Sequence, residues 1–256
     1  MVVRMLIAEK VFLLFTTDSG KACTGAYRRS RALSLAVVMD LLIGGIVQVE
    51  GQRELSTDSL PEWLESERES ADPIIRVHGD VPTDHYVFGA SGDQIRSLDG
   101  RRLSDCTVKE MSHMDQVVNA LSQQGVIEKR PGILRPKHPA LNPAAELEMR
   151  QRLQAVLEEN KAPTTVEAIL LAIILSAGAT GDVFKAEAAN AGMRSISGQQ
   201  LIQAISRQVS RQVAKLGAES GNARRALSAA EVALVVAALH MGLNVGVRKR
   251  QPVGEH

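Results

Sequence analysis

The residues of this chain that could do chemistry fall into three sets. The first is Gly20-Lys21-Ala22, which matches the end of a phosphate-cradling loop but lacks both that loop's first glycine and its magnesium-binding Ser or Thr. The second is His78, Asp80, Asp84 and His85, imidazole and carboxylate donors of the kind that bind metal. They sit in a Pro- and Asp-rich stretch without helical spacing, which reads as a solvated loop and not as a metal site. The third is Glu9, Asp40, Glu110 and Glu167, carboxylates within or beside apolar helical segments. A general acid or base is one use for such a group, and a paired structural carboxylate is the commoner one. The six histidines are scattered and no Ser or Cys carries a nucleophile elbow around it. Catalysis is therefore not expected, nor is a metal or other cofactor.

The cations are more informative than the acids. They cluster at Arg28, Arg29 and Arg31, at Arg101 and Arg102, from Lys129 to Lys137, and from Arg248 to Arg250, while Glu62, Glu65, Glu67 and Glu69 gather the acidic charge. The net charge is only +1, so any attraction to an anionic surface has to be local.

These groups must be positioned by helices. The chain has 256 residues, 45% of them hydrophobic, 23% charged and only 3% aromatic. That is enough to bury a core of Leu, Ile, Val, Ala and Met without disulfides. Cys23 and Cys106 have no partner at ligand spacing and read as two isolated thiols in a reducing compartment. Glu9 and Lys10 interrupt any signal-peptide core near the N-terminus. The longest apolar run, Ala168 to Ala179, is about a dozen residues against the ~20 that a helix needs to span a bilayer. The expectation is a cytoplasmic protein that lies on a membrane surface if it meets one.

Along the chain, Leu6 to Phe15 reads as a short helix or strand, Ala32 to Ile43 as a buried helix closed by Gly44 and Gly45, and Ile46 to Val49 as a strand. Residues 71–100 read as an irregular loop with a strand-like piece at Tyr86 to Phe88. Val108 to Gln124 has helical spacing, with Met111, Met114, Val117, Val118 and Leu121 on one stripe. A basic β-hairpin follows over 126–135, its short apolar strands Val126-Ile127 and Ile133-Leu134 flanking a Pro131-Gly132 tip. Four further helices are expected at 143–159, 164–177, 197–216 and 228–242. The fold class is mainly α, one compact helical domain over 1–256 with a short strand in its N-terminal third and a protruding hairpin.

A helix followed by a basic hairpin has two physical uses. In a winged-helix regulator the helix enters the major groove of DNA and the wing lies on phosphates, here through Lys129, Arg130, Arg135 and Lys137. At a membrane the same cations are attracted to anionic lipid at ~1 kcal/mol each. The helix disfavours nucleic acid, since its polar positions carry Asp115, Gln116, Asn119 and Gln123 with Lys109 as the only cation.

The order of four segments, LIAEKVFLLFTTDSGKA, the buried helix closing on LLIGGIVQVEG, NALSQQGVIEKRPGILRP and RLQAVLEENKAPTTVEAILLAIILSAGA, resembles the Golgi phosphoprotein 3 family, in particular its shorter bacterial members. The resemblance covers roughly Leu6 to Leu216. It implies a non-catalytic, mainly helical adaptor that binds phosphatidylinositol 4-phosphate and sits peripherally on the cytosolic face of a membrane. It also implies self-association through the hairpin and, in eukaryotic members, capture of glycosyltransferase tails. The family's phosphate pocket uses a Trp before the first buried helix, an Arg early in it, and two basic residues three apart in the helix before the hairpin. Those places fall here near Gly25 to Tyr27, at Ser34, and at Met111 and Met114, none of them charged. The resemblance thus moves the candidate anion site to the neighbouring Arg28, Arg29 and Arg31, with Lys109 and His113. It assigns the membrane or oligomer contact to Lys129, Arg130, Ile133 and Leu134.

Overall fold

The computed structural model describes residues 5–17, 19–50, 73–78, 92–106, 114–131, 136–141, 143–158, 163–184, 228–234 and 236–237. Its elements, in order, are α1 (Ile7–Leu14), α2 (Ala26–Ile43), β1 (Val47–Val49), β2 (Ile75–Val77), α3 (Gly92–Arg96), α4 (Leu103–Cys106), α5 (Met114–Gln123), α6 (Ala144–Glu158), α7 (Thr165–Ser176) and α8 (Thr180–Val183). Residues 229–234 and 236–237 are also helical. The protein is mainly α, as its periodicity predicts.

α2 is the central element. It packs against α1, α7, α4 and β1, and from Ala32 to Leu42 every residue is buried. α7 lies beside it, apolar around nearly its whole circumference, as a helix surrounded by protein must be. Its start is fixed by a reciprocal cap: Glu167 donates its amide to the Thr164 hydroxyl at 3.2 Å and accepts the Thr164 amide at 2.7 Å. Seven of the eight α1 residues are buried against these helices. One hydrophobic cluster runs from Ile7 to Ala237 and includes Val117, Val118 and Leu121 of α5. Those three residues of the expected stripe therefore face the core, with Met114 half-buried and packed against it, and Met111 lies outside the described residues.

Several expectations shift. The ambiguous first segment is a helix. α2 begins at Ala26, a turn and a half before Ala32, because Gly25 in an extended conformation starts it and its first residues face solvent, where no apolar pattern marks them. The chain turns out of α2 at Gly45, whose φ of 71° suits glycine. The stretch 71–100 is not all loop: β2 pairs antiparallel with β1, Val47 opposite Val77 and Val49 opposite Ile75, and α3 follows. Tyr86 to Phe88 and the expected helix at 197–216 lie outside the described residues.

The hairpin ladder is also longer than the spacing suggests. Ile127 bridges to Ala140 and Arg130 to Lys137, so residues 127–130 pair with 137–140. Arg130 and Lys137 exchange both amide hydrogen bonds at 2.9 Å, and Glu128 donates to the Pro139 carbonyl at 2.9 Å. Pro139 lacks an N–H, but its carbonyl still accepts, so a proline is tolerated in this ladder. Ile133 and Leu134 lie outside the described residues.

Candidate functional site

The basic run at the start of α2 meets two other elements, the C-terminal end of α1 and the base of the hairpin. Gly20 makes the approach possible. It accepts the His138 amide at 3.0 Å, and a Cβ there would sit 2.3 Å from the Pro139 nitrogen, at a φ of 77° that already favours glycine. The loop from Gly20 to Thr24 then delivers the chain to Gly25, where no side chain caps the helix and the space around the missing Cβ is open. An α-helix start carries unsatisfied amides and a partial positive charge, which favours an anion. No acidic residue occupies the first turn of α2.

The three arginines have different places. Arg28 is half-exposed and pairs with Asp182 of α8 at 3.2 Å. Arg29 turns inward: its guanidinium carbon lies 4.5 Å over the Phe12 ring centroid and one terminal nitrogen donates to the Thr16 hydroxyl at 3.2 Å. Its Nε is buried without a hydrogen-bond partner, as are Thr24 Oγ1 and His138 Nδ1. Arg31 is partly buried. Burial lowers the pKa of Arg29, while the nearby Cys23 opposes the shift. Burial is also the main reason the His138 imidazole titrates below its usual range, with Arg29 and Lys129 adding to it and Asp115 opposing. His138 packs its edge on Phe12 with centroids 5.8 Å apart, so Phe12 joins the hairpin base to Arg29. Beside Arg28, Tyr27 is 77% exposed, the most exposed of the described large apolar side chains.

Below this surface lies a buried cation. Arg150 of α6 pairs with Glu146 at 2.8 Å and donates to the carbonyls of Leu14 at 2.8 Å, Thr16 at 3.3 Å and Val183. It ties the end of α1 to α6 and α8, and thereby fixes the platform carrying Arg28 and Asp182. Sequence reasoning passed over Arg150, Asp182, Phe12 and His138. An acid-base pair four apart, Glu146 and Arg150, is the one signal that was available, and on a helix it usually marks an exposed pair.

Of the hairpin cations, Lys129 reaches Asn119 and Arg130 pairs with Glu128 at 2.6 Å, both exposed. The hydrogen bond from Arg130 holds the Glu128 carboxyl below its usual range. Lys109 and His113 lie outside the described residues, as do Asp80, Asp84 and His85, while His78 is exposed. Ser34, where an ungapped count places the family arginine, is fully buried and donates to the Ser30 carbonyl at 3.0 Å. That position faces the core, so the accessible cation of α2 is one and a half turns earlier, at Arg28.

The Golgi phosphoprotein 3 (GPP34) family model matches residues 7–213, which spans α1, the α2 platform and the hairpin. The chain belongs to the Golgi phosphoprotein 3 family. Compared with curated proteins one by one, it finds no match. Among the described residues of this family member, no helix is long and apolar enough to cross a membrane, and no group of His, Cys, Asp and Glu is placed to hold a metal ion. The sequence's carboxylates serve caps: Glu9, Asp40 and Glu167 all accept backbone amides at helix starts, and Glu110 lies outside the described residues.

Proposed function

We propose that this protein is a non-catalytic, peripheral membrane adaptor that binds an anionic phosphorylated headgroup, of the phosphatidylinositol 4-phosphate kind, at the start of α2. The observation that carries the reading is the exposed Tyr27-Arg28 pair on a helix turn with no side-chain cap. An aromatic ring suits the headgroup layer and a guanidinium suits a phosphate. Family membership supports it, as do the buried Thr24 Oγ1 and Arg29 Nε without protein partners beside the turn. The site is expected on the cytosolic face of a membrane, with the hairpin residues Lys129, Arg130, Ile133 and Leu134 touching the bilayer or a second copy. Nothing in α5 favours DNA: among its described exposed residues Asp115, Asn119 and Gln123 there is no cation.

Vesicle pelleting tests the reading. Vesicles with phosphatidylinositol 4-phosphate should bind more tightly than phosphatidylglycerol vesicles of matched charge, and pure phosphatidylcholine should not bind. Arg28→Ala should weaken the first interaction roughly tenfold, the loss of one charge-assisted contact. Asp182→Asn, which frees Arg28 from its partner, should tighten it. Equal binding to charged and zwitterionic vesicles at low salt would overturn the proposal.

A further inference from the structure

Asp40 is a carboxylate placed where a helix would ordinarily put a capping side chain of its own. It lies in the last turn of α2 and is only 6% exposed, yet its two oxygens accept the amides of Ile7 at 2.8 Å and Ala8 at 2.9 Å, in the first turn of α1. The preceding residue, Leu6, has no side chain able to cap, and its own amide goes to Glu9 at 2.8 Å. Three consecutive amides at this helix start thus end on two carboxylates. The second of them reaches onward: Glu9 also accepts the Gln124 side chain at 2.9 Å, one residue before Gly125 and the hairpin.

The charged groups acting on Asp40 are Glu9, which opposes its ionisation, and Lys10, which favours it and donates to the Met5 carbonyl at 2.7 Å. The other elements packed on α2 bring little charge to it. The buried face of α7 is apolar, and its Glu167 is engaged with Thr164 and Arg152. α4 contributes Leu103 and the Cys106 thiol, and the acid after β1, Glu50, pairs with Arg76. An ionised carboxylate here is held by two neutral amides inside an apolar core, a costly arrangement that a proton relieves.

We infer that Asp40 is a proton-operated latch on the first turn of α1, closed while its carboxyl keeps a proton and released when the proton is lost. The neutral carboxyl keeps two oxygens as acceptors without a buried charge. Once ionised, the group is better solvated with the turn opened, so rising pH favours the open form by linkage. Burial moves the carboxyl from the ordinary range up to about 7, with the two amides and Lys10 opposing and Glu9 adding to the rise, so the latch slackens as pH climbs from the ordinary carboxylate range to about 7. Because Glu9 belongs to the same turn, release also loosens its hold on Gln124 at the root of the hairpin. The inference stands apart from the lipid reading, since it concerns the opposite end of α1.

Amide hydrogen exchange on the full chain tests it. With intrinsic exchange divided out, protection of Ile7 and Ala8 should fall by up to about tenfold per pH unit as pH rises from about 5 to about 7, the slope of one linked proton, and level off above that. In Asp40→Asn the slope should vanish. Protection that is flat from pH 5 to 7 in the wild type would overturn the inference. Should the variant fail to fold, the wild type decides alone: protection of Ile7 and Ala8 that falls in step with the carbon-13 carboxyl titration of Asp40 supports the latch, and protection that stays flat through that titration overturns it.

Discussion

α1 is eight residues long and its two ends are finished in opposite ways. The N-terminal end meets carboxylates, Asp40 and Glu9, on its amides. The C-terminal end meets guanidinium, with Arg150 on the carbonyls of Leu14 and Thr16 and Arg29 on the Thr16 hydroxyl. Each end thus receives the side-chain groups that its unpaired backbone atoms need. The difference lies in how the charge is held. Arg150 has a buried carboxylate partner in Glu146, whereas Asp40 accepts two backbone amides and can shed its charge by taking a proton. One end is a fixed rivet and the other responds to solution conditions.

The largest expected effect that would break this contrast is at the fixed end. Arg150→Leu removes the guanidinium from the Glu146 carboxylate and from three carbonyls, and should cost about 3 to 5 kcal/mol in urea unfolding. A loss under 1 kcal/mol would show that the rivet bears little.

At the other end, Asp40→Ala strands two buried amides and should cost about 2 to 3 kcal/mol at pH 5. The folded pKa of Asp40 is raised above its unfolded value, so its stabilising protonation is fully present at low pH and lost as pH climbs through about 7. The gap between wild type and Asp40→Ala should therefore narrow from pH 5 to pH 8. A gap that widens would mean the carboxylate, and not the acid, is the favoured form.

Gly20→Ala tests the loop leaving α1. Its backbone sits in the left-handed region and a Cβ would strike the Pro139 and His138 backbone, so a loss of at least about 1 to 2 kcal/mol is expected, with shifted amide resonances at 137–140. The smallest effect belongs to Arg29→Lys, which keeps the charge over Phe12 but loses the planar fork. About 1 kcal/mol is expected from thermal unfolding, and an unchanged midpoint would mean the stacking on Phe12 contributes nothing.

The sequence made some of this legible and not the rest, for a physical reason. Helix periodicity can be read within a window of a few residues, which is why the helix at 164–177, the buried body of α2 and the stripe of Val117, Val118 and Leu121 are legible in the sequence. The run of Arg28, Arg29 and Arg31 was also visible as charge. What was invisible is direction: α2's first turns show no apolar face, so nothing distinguished Arg28, which faces water, from Arg29, which lies on Phe12. Asp182, His138 and Arg150 meet their partners across 154, 126 and 136 residues, measured to Arg28, Phe12 and Leu14, and no local pattern encodes such a meeting. The hairpin register failed similarly, because Pro131-Gly132 looks like a complete turn while the pairing is set by where Lys137 and Pro139 find acceptors and donors.

The distant origin of both α1 caps also bears on the order of folding. A helix of eight residues is too short to persist alone in water, and closing loops of tens of residues costs entropy before any contact rewards it. α1 thus depends on α2 to bring Asp40 and on α6 to bring Arg150. Loss of either cap is expected to act mainly by speeding unfolding, and a folding limb of the chevron that slows as much would place α1 in the folding nucleus.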